Sequence, residues 1–332
     1  MKTGILFLVL HFLGAIGFIN GKLFGQEFYD DTLNVRLSLN DFDKSSLLLP
    51  FNVTRTPGSP GSQKTQKFIE SHFNQLRNDW LFEEDKFSQS DFNFTNLVFT
   101  LGQNASSYLI LSAHYDSKLV PEGFVGAIDS AASCGILLYI AEFVDSLFDG
   151  RQDITQKEFH QEPMGLKIVF FDGEEALKEW TSEDSIYGSK HLAEKWSKDG
   201  TMSKIDLFIL LDLLGSVDNV RVPSYFSSSA EEYKHLIEIE SLNQHNLPYR
   251  ETLFDSEDPR FQNYNGIVIE DDHLPFLKNG VRIMHLIPLP FPTAWHTLED
   301  NFNNLDKTKI QNWSILLCEL VYSRLADQFD YF

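Results

Sequence analysis

Cysteine is almost missing from this sequence: Cys134 and Cys318 are the only two in 332 residues. Two thiols exclude a disulfide framework and a thiol-rich metal site, so the fold must be held by its core. Whether the two pair is not legible from spacing. Basic residues are also scarce, 27 Lys and Arg against 48 Asp and Glu, for a formal charge of −21. Such a balance repels phosphate backbones and attracts cationic groups such as free amino termini, so nucleic acid is excluded as a partner. Internal repeats are absent, and with them the solenoid architectures.

A long apolar run is present at the N-terminus, "MKTGILFLVLHFLGAIGF". Lys2 followed by an apolar stretch and then small residues reads as a signal peptide over residues 1–20. Its alternative is an uncleaved anchor, the one way a membrane would become a partner. Both place the chain in the secretory pathway, secreted or lumenal. Sequons at Asn52, Asn93, Asn104 and Asn312 agree with that route. Residues 21–50 read as an irregular polar segment, and residues 51–332 as a single α/β domain.

Within that domain short apolar strands alternate with helical stretches. "SSYLILSA" (106–113), "LKIVFF" (166–171) and "IDLFILLDLLG" (205–215) are strands, apolar on both faces. Helices are expected over 129–148, near 185–196 and over 307–326, and a surface loop over 149–165. The pattern predicts a three-layer α/β/α fold with a central, mostly parallel mixed sheet.

In such sheets ligands bind beyond the carboxyl ends of the strands. That rule selects His114 in "HYD", Asp172, Glu174 and Glu175 in "FFDGEEAL", Asp212, and His285 and His296 in "RIMHLIPLPFPTAWHT". Asp129 in "GAIDSAAS" heads a helix, where the dipole would keep it ionised. Each has a structural alternative: Asp129 as an N-cap, His285 as a core histidine, Asp212 as a turn residue. Together, buried carboxylates repel unless a cation or proton intervenes, and carboxylates with imidazoles suit catalytic zinc. Adjacent side chains diverge, so one of Glu174 and Glu175 can ligate while the other serves as base.

The segments "AHYDSK", "GAIDSAASC", "FFDGEEAL", "DSIYGSKHLA", "LLDLLG", "IEDDHLPFL" and "HLIPLPFPTAWHT" resemble the animal-type glutaminyl-peptide cyclotransferases, over residues 51–326. These enzymes share their fold with zinc aminopeptidases. The resemblance implies one zinc per chain on Asp129, Glu175 and His296. It makes Glu174 the acid/base residue, with Asp212 and Asp271 as an acidic pair beside it. Trp180, Phe291 and Trp295 would wall the substrate side chain, with His285 near the pocket. Implied substrates are peptides or proteins beginning with Gln, with Glu as a candidate second, acted on by a monomer.

Two departures stand out. Many animal members join the positions of Ala113 and Cys134 by a disulfide; Ala113 cannot, which implies a free buried thiol and lower stability. Glu270 replaces a residue that is often Gln in relatives. A two-zinc aminopeptidase using His114, Asp129, Glu175, Asp212 and His296 is the competing enzyme class. A non-catalytic binding domain is the competing non-enzymatic class, and it would be expected to have lost ligands.

Overall fold

The computed structural model describes residues 23–147, 164–257 and 269–325. The leader expected over residues 1–20 lies outside them. So does all of the loop expected over 149–165 except its last two residues, which begin a strand.

Six strands form one mixed sheet: β1 (Leu81–Gln89), β2 (Phe92–Leu101), β3 (Ser107–His114), β4 (Met164–Phe171), β5 (Ile205–Leu211) and β6 (Ile283–Leu286). Their spatial order is β1-β2-β4-β3-β5-β6. The four strands β4, β3, β5 and β6 run parallel, and the β1–β2 hairpin is antiparallel at one edge. The three apolar runs read from sequence become β3, β4 and β5. The hairpin went unread because β1, "LFEEDKFSQ", is half charged and polar and mostly exposed.

Alternation within the strands explains the layers. Leu109 and Leu111 of β3 and Leu207, Ile209 and Leu211 of β5 point into one core, with helices α3 (Ala132–Leu147) and α7 (Lys307–Leu325). Tyr108, Ile110, Phe208 and Leu210 point into the other, with α4 (Tyr187–Asp199) and Phe276 of α6 (Leu274–Lys278). A strand buried on both faces needs no polar side, which is why these runs carry none. Helices α2 (Pro60–Phe73) and α5 (Ala230–Asn243) complete the cover.

The N-terminal segment departs from expectation. Residues 21–50, read as irregular, contain helix α1 (Gln26–Arg36) and several core residues, among them Leu23, Tyr29, Leu33, Leu47 and Leu48. Glu319 on α7 accepts hydrogen bonds from the amides of Phe24 (3.1 Å) and Gly25 (2.9 Å) and from the Tyr29 hydroxyl (2.8 Å). The apolar residues of α1 are spaced among acids and amides, so its stripe is visible only when the surface it covers is known.

Candidate active site

Parallel register sets β3 and β4 end to end, His114 opposite Phe171, so the turns that follow lie side by side. After β4 the chain turns at Gly173, whose φ is +72° and where a Cβ would stand 2.4 Å from a ring carbon of Phe94. Only glycine makes that turn without strain. The carbonyls of Gly173 and Glu174 accept from the amides of Tyr187 (2.7 Å) and Ile186 (2.8 Å). The amides of Glu174 and Glu175 donate to the two oxygens of Asp116, at 3.1 and 3.3 Å. A third carboxylate thus fixes the turn that displays the acidic pair, and the two side chains part. Glu174 lines a cavity; Glu175 turns to Lys118 Nζ at 3.0 Å and His296 Nε2 at 3.6 Å.

Asp129, Glu175 and His296 bring one ligand atom each within 4.8 Å of one another. His296 Nε2 lies 3.5 Å from Asp129 Oδ2. Glu175 Oε1 is buried without a hydrogen-bond partner. A bare carboxylate oxygen away from water is unstable unless a cation or proton meets it, and this donor set of two carboxylates and an imidazole fits zinc. Burial, then Asp129, pushes the Glu175 carboxyl up to about 7, the mark of a site short of positive charge.

Asp129 lies just ahead of α3, where its carboxylate meets His114 and His296. It sits at φ −112°, ψ 80° in an irregular turn over Ala127–Ala131, directly before α3. The loop before it is held from behind by Arg55. That buried guanidinium donates to the carbonyls of Tyr115 (2.7 Å), Phe51 (2.7 Å), Val125 (2.7 Å) and Gly126 (3.0 Å). His296 stands at φ +58°, a left-handed position that a branched or ringed side chain adopts at a cost near functional sites.

Around these lies an acidic network. His114 offers Nε2 to Asp129 at 2.9 Å and Nδ1 to Asp116 at 3.3 Å, with Asp212 at 3.5 Å. Burial opposes a charge on His114, but the hydrogen bonds to Asp116, Asp129 and Asp212 win and raise its pKa well above the usual value. Burial likewise raises Asp129, and the bonds from His114 and His296 overcome it and lower it. Asp212 accepts from Ser130 Oγ (2.7 Å) and from the Leu213 amide (2.8 Å). Asp271 accepts from His285 Nε2 at 2.7 Å and from the Asp272 amide at 2.6 Å. Burial holds Glu174 well above the carboxylate range, with His114 opposing and Asp271, Glu175 and Asp272 adding to it.

A cavity of about 280 Å³ opens over this network, lined among others by Asp129, Glu174, Asp212, Asp271 and His296, and walled by Trp180, Phe291 and Trp295. The Trp295 ring stacks on His296 at 3.8 Å, and Phe291 packs on Trp295 at 4.9 Å. Trp180 donates its Nε1–H to Glu270 at 2.9 Å, which occupies the carboxylate that departs from the resembling family. Eight of the ten residues predicted for the site line this cavity, and Glu175 joins them through its group with Asp129 and His296. His285, expected near the pocket, lies in β6 behind Asp271, 3% exposed and bonded to it, and does not itself line the cavity. Cys134, as expected, is free and buried, its thiol 3.2 Å from the His114 carbonyl and pushed up to about 12 by burial.

Sequence reasoning missed Asp116, Lys118, Ser130 and Arg55. Asp116 was within reach of the strand-end rule, two residues past His114. Nothing marked Arg55, because its role is to bind carbonyls that only the fold brings together.

Residues 96–321 match the sequence profile of peptidase family M28. The chain is 46% identical to an uncharacterized Saccharomyces cerevisiae protein, over 85% of this chain and 84% of that one. It is 38% identical to a Bos taurus glutaminyl-peptide cyclotransferase, over 81% of this chain and 78% of the relative. The crystal structure of a Macrostomum lignano glutaminyl cyclase superposes with a TM-score of 0.68 at 31% identity, covering 90% of this chain and 94% of that one. With relatives of this identity matched over most of their length, the chain belongs to the glutaminyl-peptide cyclotransferase family of the zinc aminopeptidase-like superfamily.

Proposed function

We propose that the protein is a zinc-dependent glutaminyl-peptide cyclotransferase that closes N-terminal glutamine of peptides or proteins to pyroglutamate and releases ammonia. The observation that carries this reading is the divergence of the adjacent pair: Glu174 faces the cavity while Glu175 faces Asp129 and His296. A cavity of about 280 Å³ is small among ligand pockets and suits one terminal side chain.

Asp129, Glu175 and His296 would hold a single zinc. When bound, zinc supplies a Lewis acid that polarises the γ-carbonyl of the substrate and stabilises negative charge on its oxygen. The chain's own residues do the rest. Glu174 takes a proton from the α-amine as its nitrogen bonds to the side-chain carbonyl carbon, Cδ, and returns it to the amide nitrogen as the Cδ–N bond breaks and ammonia leaves. Asp271 keeps the proton affinity of Glu174 high enough for both transfers; Asp212, tied to Ser130 and His114, completes the acidic pair. Trp180, Phe291 and Trp295 exclude water, so the attacking group is the substrate's amine and the γ-amide is not hydrolysed to glutamate. The acidic cavity favours a free amino terminus, and an N-terminal Glu would bring a further negative charge into it. The chain acts as a single catalytic domain, as a monomer, in the secretory pathway.

The test uses peptides beginning with Gln, with and without a zinc chelator, followed by mass and ammonia release. Ammonia released with every peptide bond intact, lost on chelation and restored by zinc, is the expected result. Free amino acid in place of ammonia would favour the aminopeptidase reading. One observation speaks for that alternative: His114, Asp129 and Asp212 form a second group able to hold a metal. It requires two tightly bound zincs per chain across the two groups, with Asp129 shared between them.

A further inference from the structure

The mechanism leaves one buried imidazole without work. His273 is 0% exposed, and neither of its ring nitrogens has a hydrogen-bond partner. A neutral imidazole carries one donor and one acceptor, so burying both unpaired is a double desolvation with no return. Its surroundings show what could pair it. The ring of His285 stands 4.4 Å away, and the ring of Phe226, 5.5 Å away, offers no hydrogen-bonding group. His285 in turn holds Asp271 at 2.7 Å. One ligand atom each from Asp271, His273 and His285 lies within 4.8 Å of the others. Tetrahedral zinc with bonds of about 2.1 Å sets its ligands about 3.4 Å apart, so no pair needs to close by more than about 1.4 Å, and the His285–Asp271 pair, now at 2.7 Å, opens to admit the ion.

We propose that Asp271, His273 and His285 form a second divalent-cation site, distinct from the Asp129–Glu175–His296 group, that takes zinc or a similar first-row ion and inhibits the enzyme when filled. Two imidazoles and a carboxylate are the donors such ions select. Asp271 lines the cavity, so the ion enters where the substrate does. On binding, the metal replaces the His285–Asp271 hydrogen bond, and the Asp271 carboxylate turns from the cavity it lines with Glu174 toward the metal. The cavity then loses one of the carboxylates that line it beside Glu174, and the acidic pair of Asp212 and Asp271 is broken. That inhibition rests on the cyclotransferase reading; the site itself does not.

The experiment titrates metal-stripped full-length protein with Co²⁺ and Zn²⁺, reading stoichiometry by elemental analysis and coordination by the visible absorption of cobalt. The wild type is expected to bind a tight equivalent and a weaker second one, and to lose turnover as the second fills. His273→Phe keeps the ring volume and removes both nitrogens; it should fold, keep the tight equivalent and lose the weaker one together with its cobalt signal. A single equivalent in both proteins would overturn the proposal. So would a second equivalent that survives His273→Phe but vanishes in Asp212→Asn, which would assign it to the His114 group. If His273→Phe does not fold, anomalous scattering from zinc-soaked wild-type crystals decides: a zinc peak about 2.1 Å from a His273 nitrogen supports the site, and a water or no peak there refutes it. Metal binding as proposed but no ammonia release under any condition would sink the enzymatic reading and leave the site standing.

Discussion

Glu174 lies among other carboxylates, and the proposed reaction asks it to move a proton in both directions. Burial and Asp271 hold its carboxyl well above the ordinary value of 4.5. The proposed base role requires the ionised form, so kcat/KM should climb as pH rises through that raised value. Asp271→Asn removes a like charge and favours the carboxylate, so the acid limb should move to lower pH; a limb that does not move would separate Asp271 from Glu174. Glu174→Gln should keep fold and zinc while lowering kcat by about two to four orders of magnitude, measured by ammonia release against zinc content. A different residue sets acid stability. Burial, then Arg36, lowers His72 from 6.5 to about 4, while its Nε2–H donates to the Leu138 carbonyl at 3.2 Å. Below pH 6.5 the unfolded chain takes up a proton that the folded one refuses. Stability from this group is therefore complete above 6.5 and falls by about 3 kcal/mol toward pH 4. His72→Gln keeps a donor and does not titrate, so denaturant unfolding of this variant should be less pH-dependent between 4 and 6.5 than that of the wild type.

At the scale of elements, the site is made by turns after strands, and each turn has its own device. Gly173 provides a left-handed turn against the Phe94 ring; Asp116 holds the next two amides; Arg55 gathers the carbonyls before Asp129. Gly173→Ala should cost about 2 kcal/mol or more in thermal unfolding, from an unfavourable φ and a ring that must move. Activity should fall further than stability, because Glu174 follows directly. The β3 turn and α3 are neighbours without a covalent link. Ala113→Cys places a second thiol one residue before the carbonyl that Cys134 now contacts. Oxidation to the disulfide should add about 2–4 kcal/mol of stability, read as a Tm difference between oxidised and reduced protein. No difference would mean that the segments cannot close to bonding distance.

Across the whole molecule, the catalytic domain does not start where the polar segment ends. Helix α1 and Glu319 on α7 tie the two ends of the described chain to each other, so residues 23–50 are part of the core's cover rather than a tether. Surface access also sorts the sequons. Asn52, Asn93 and Asn104 are exposed. Asn312 is fully buried in α7, with its side chain bonded to the backbone of Tyr249 at 2.9 and 3.0 Å. Glycan mapping of protein made through the secretory pathway should find sugar at one or more of the first three and none at Asn312. A glycan at Asn312 would contradict the packing of α7.

The sequence by itself determined the parallel core and the residues beyond its strands. Strands buried on both faces have to be uniformly apolar, so "YLILSA", "KIVFF" and "LFILL" announced themselves, and the polar residues just after them had to serve something other than the core. It did not reveal α1 or the β1–β2 hairpin, whose amphipathic pattern takes meaning only from what they cover. Nor did it tell Glu174 from Glu175 except through resemblance. Tertiary structure decided that: the amides of both are tied to one carboxylate, and the turn then sends one side chain to the cavity and the other to Asp129 and His296. It also placed His285 behind Asp271 and left His273 unpaired beside it, because distance and burial between remote segments are properties of the folded chain, and no local pattern encodes them.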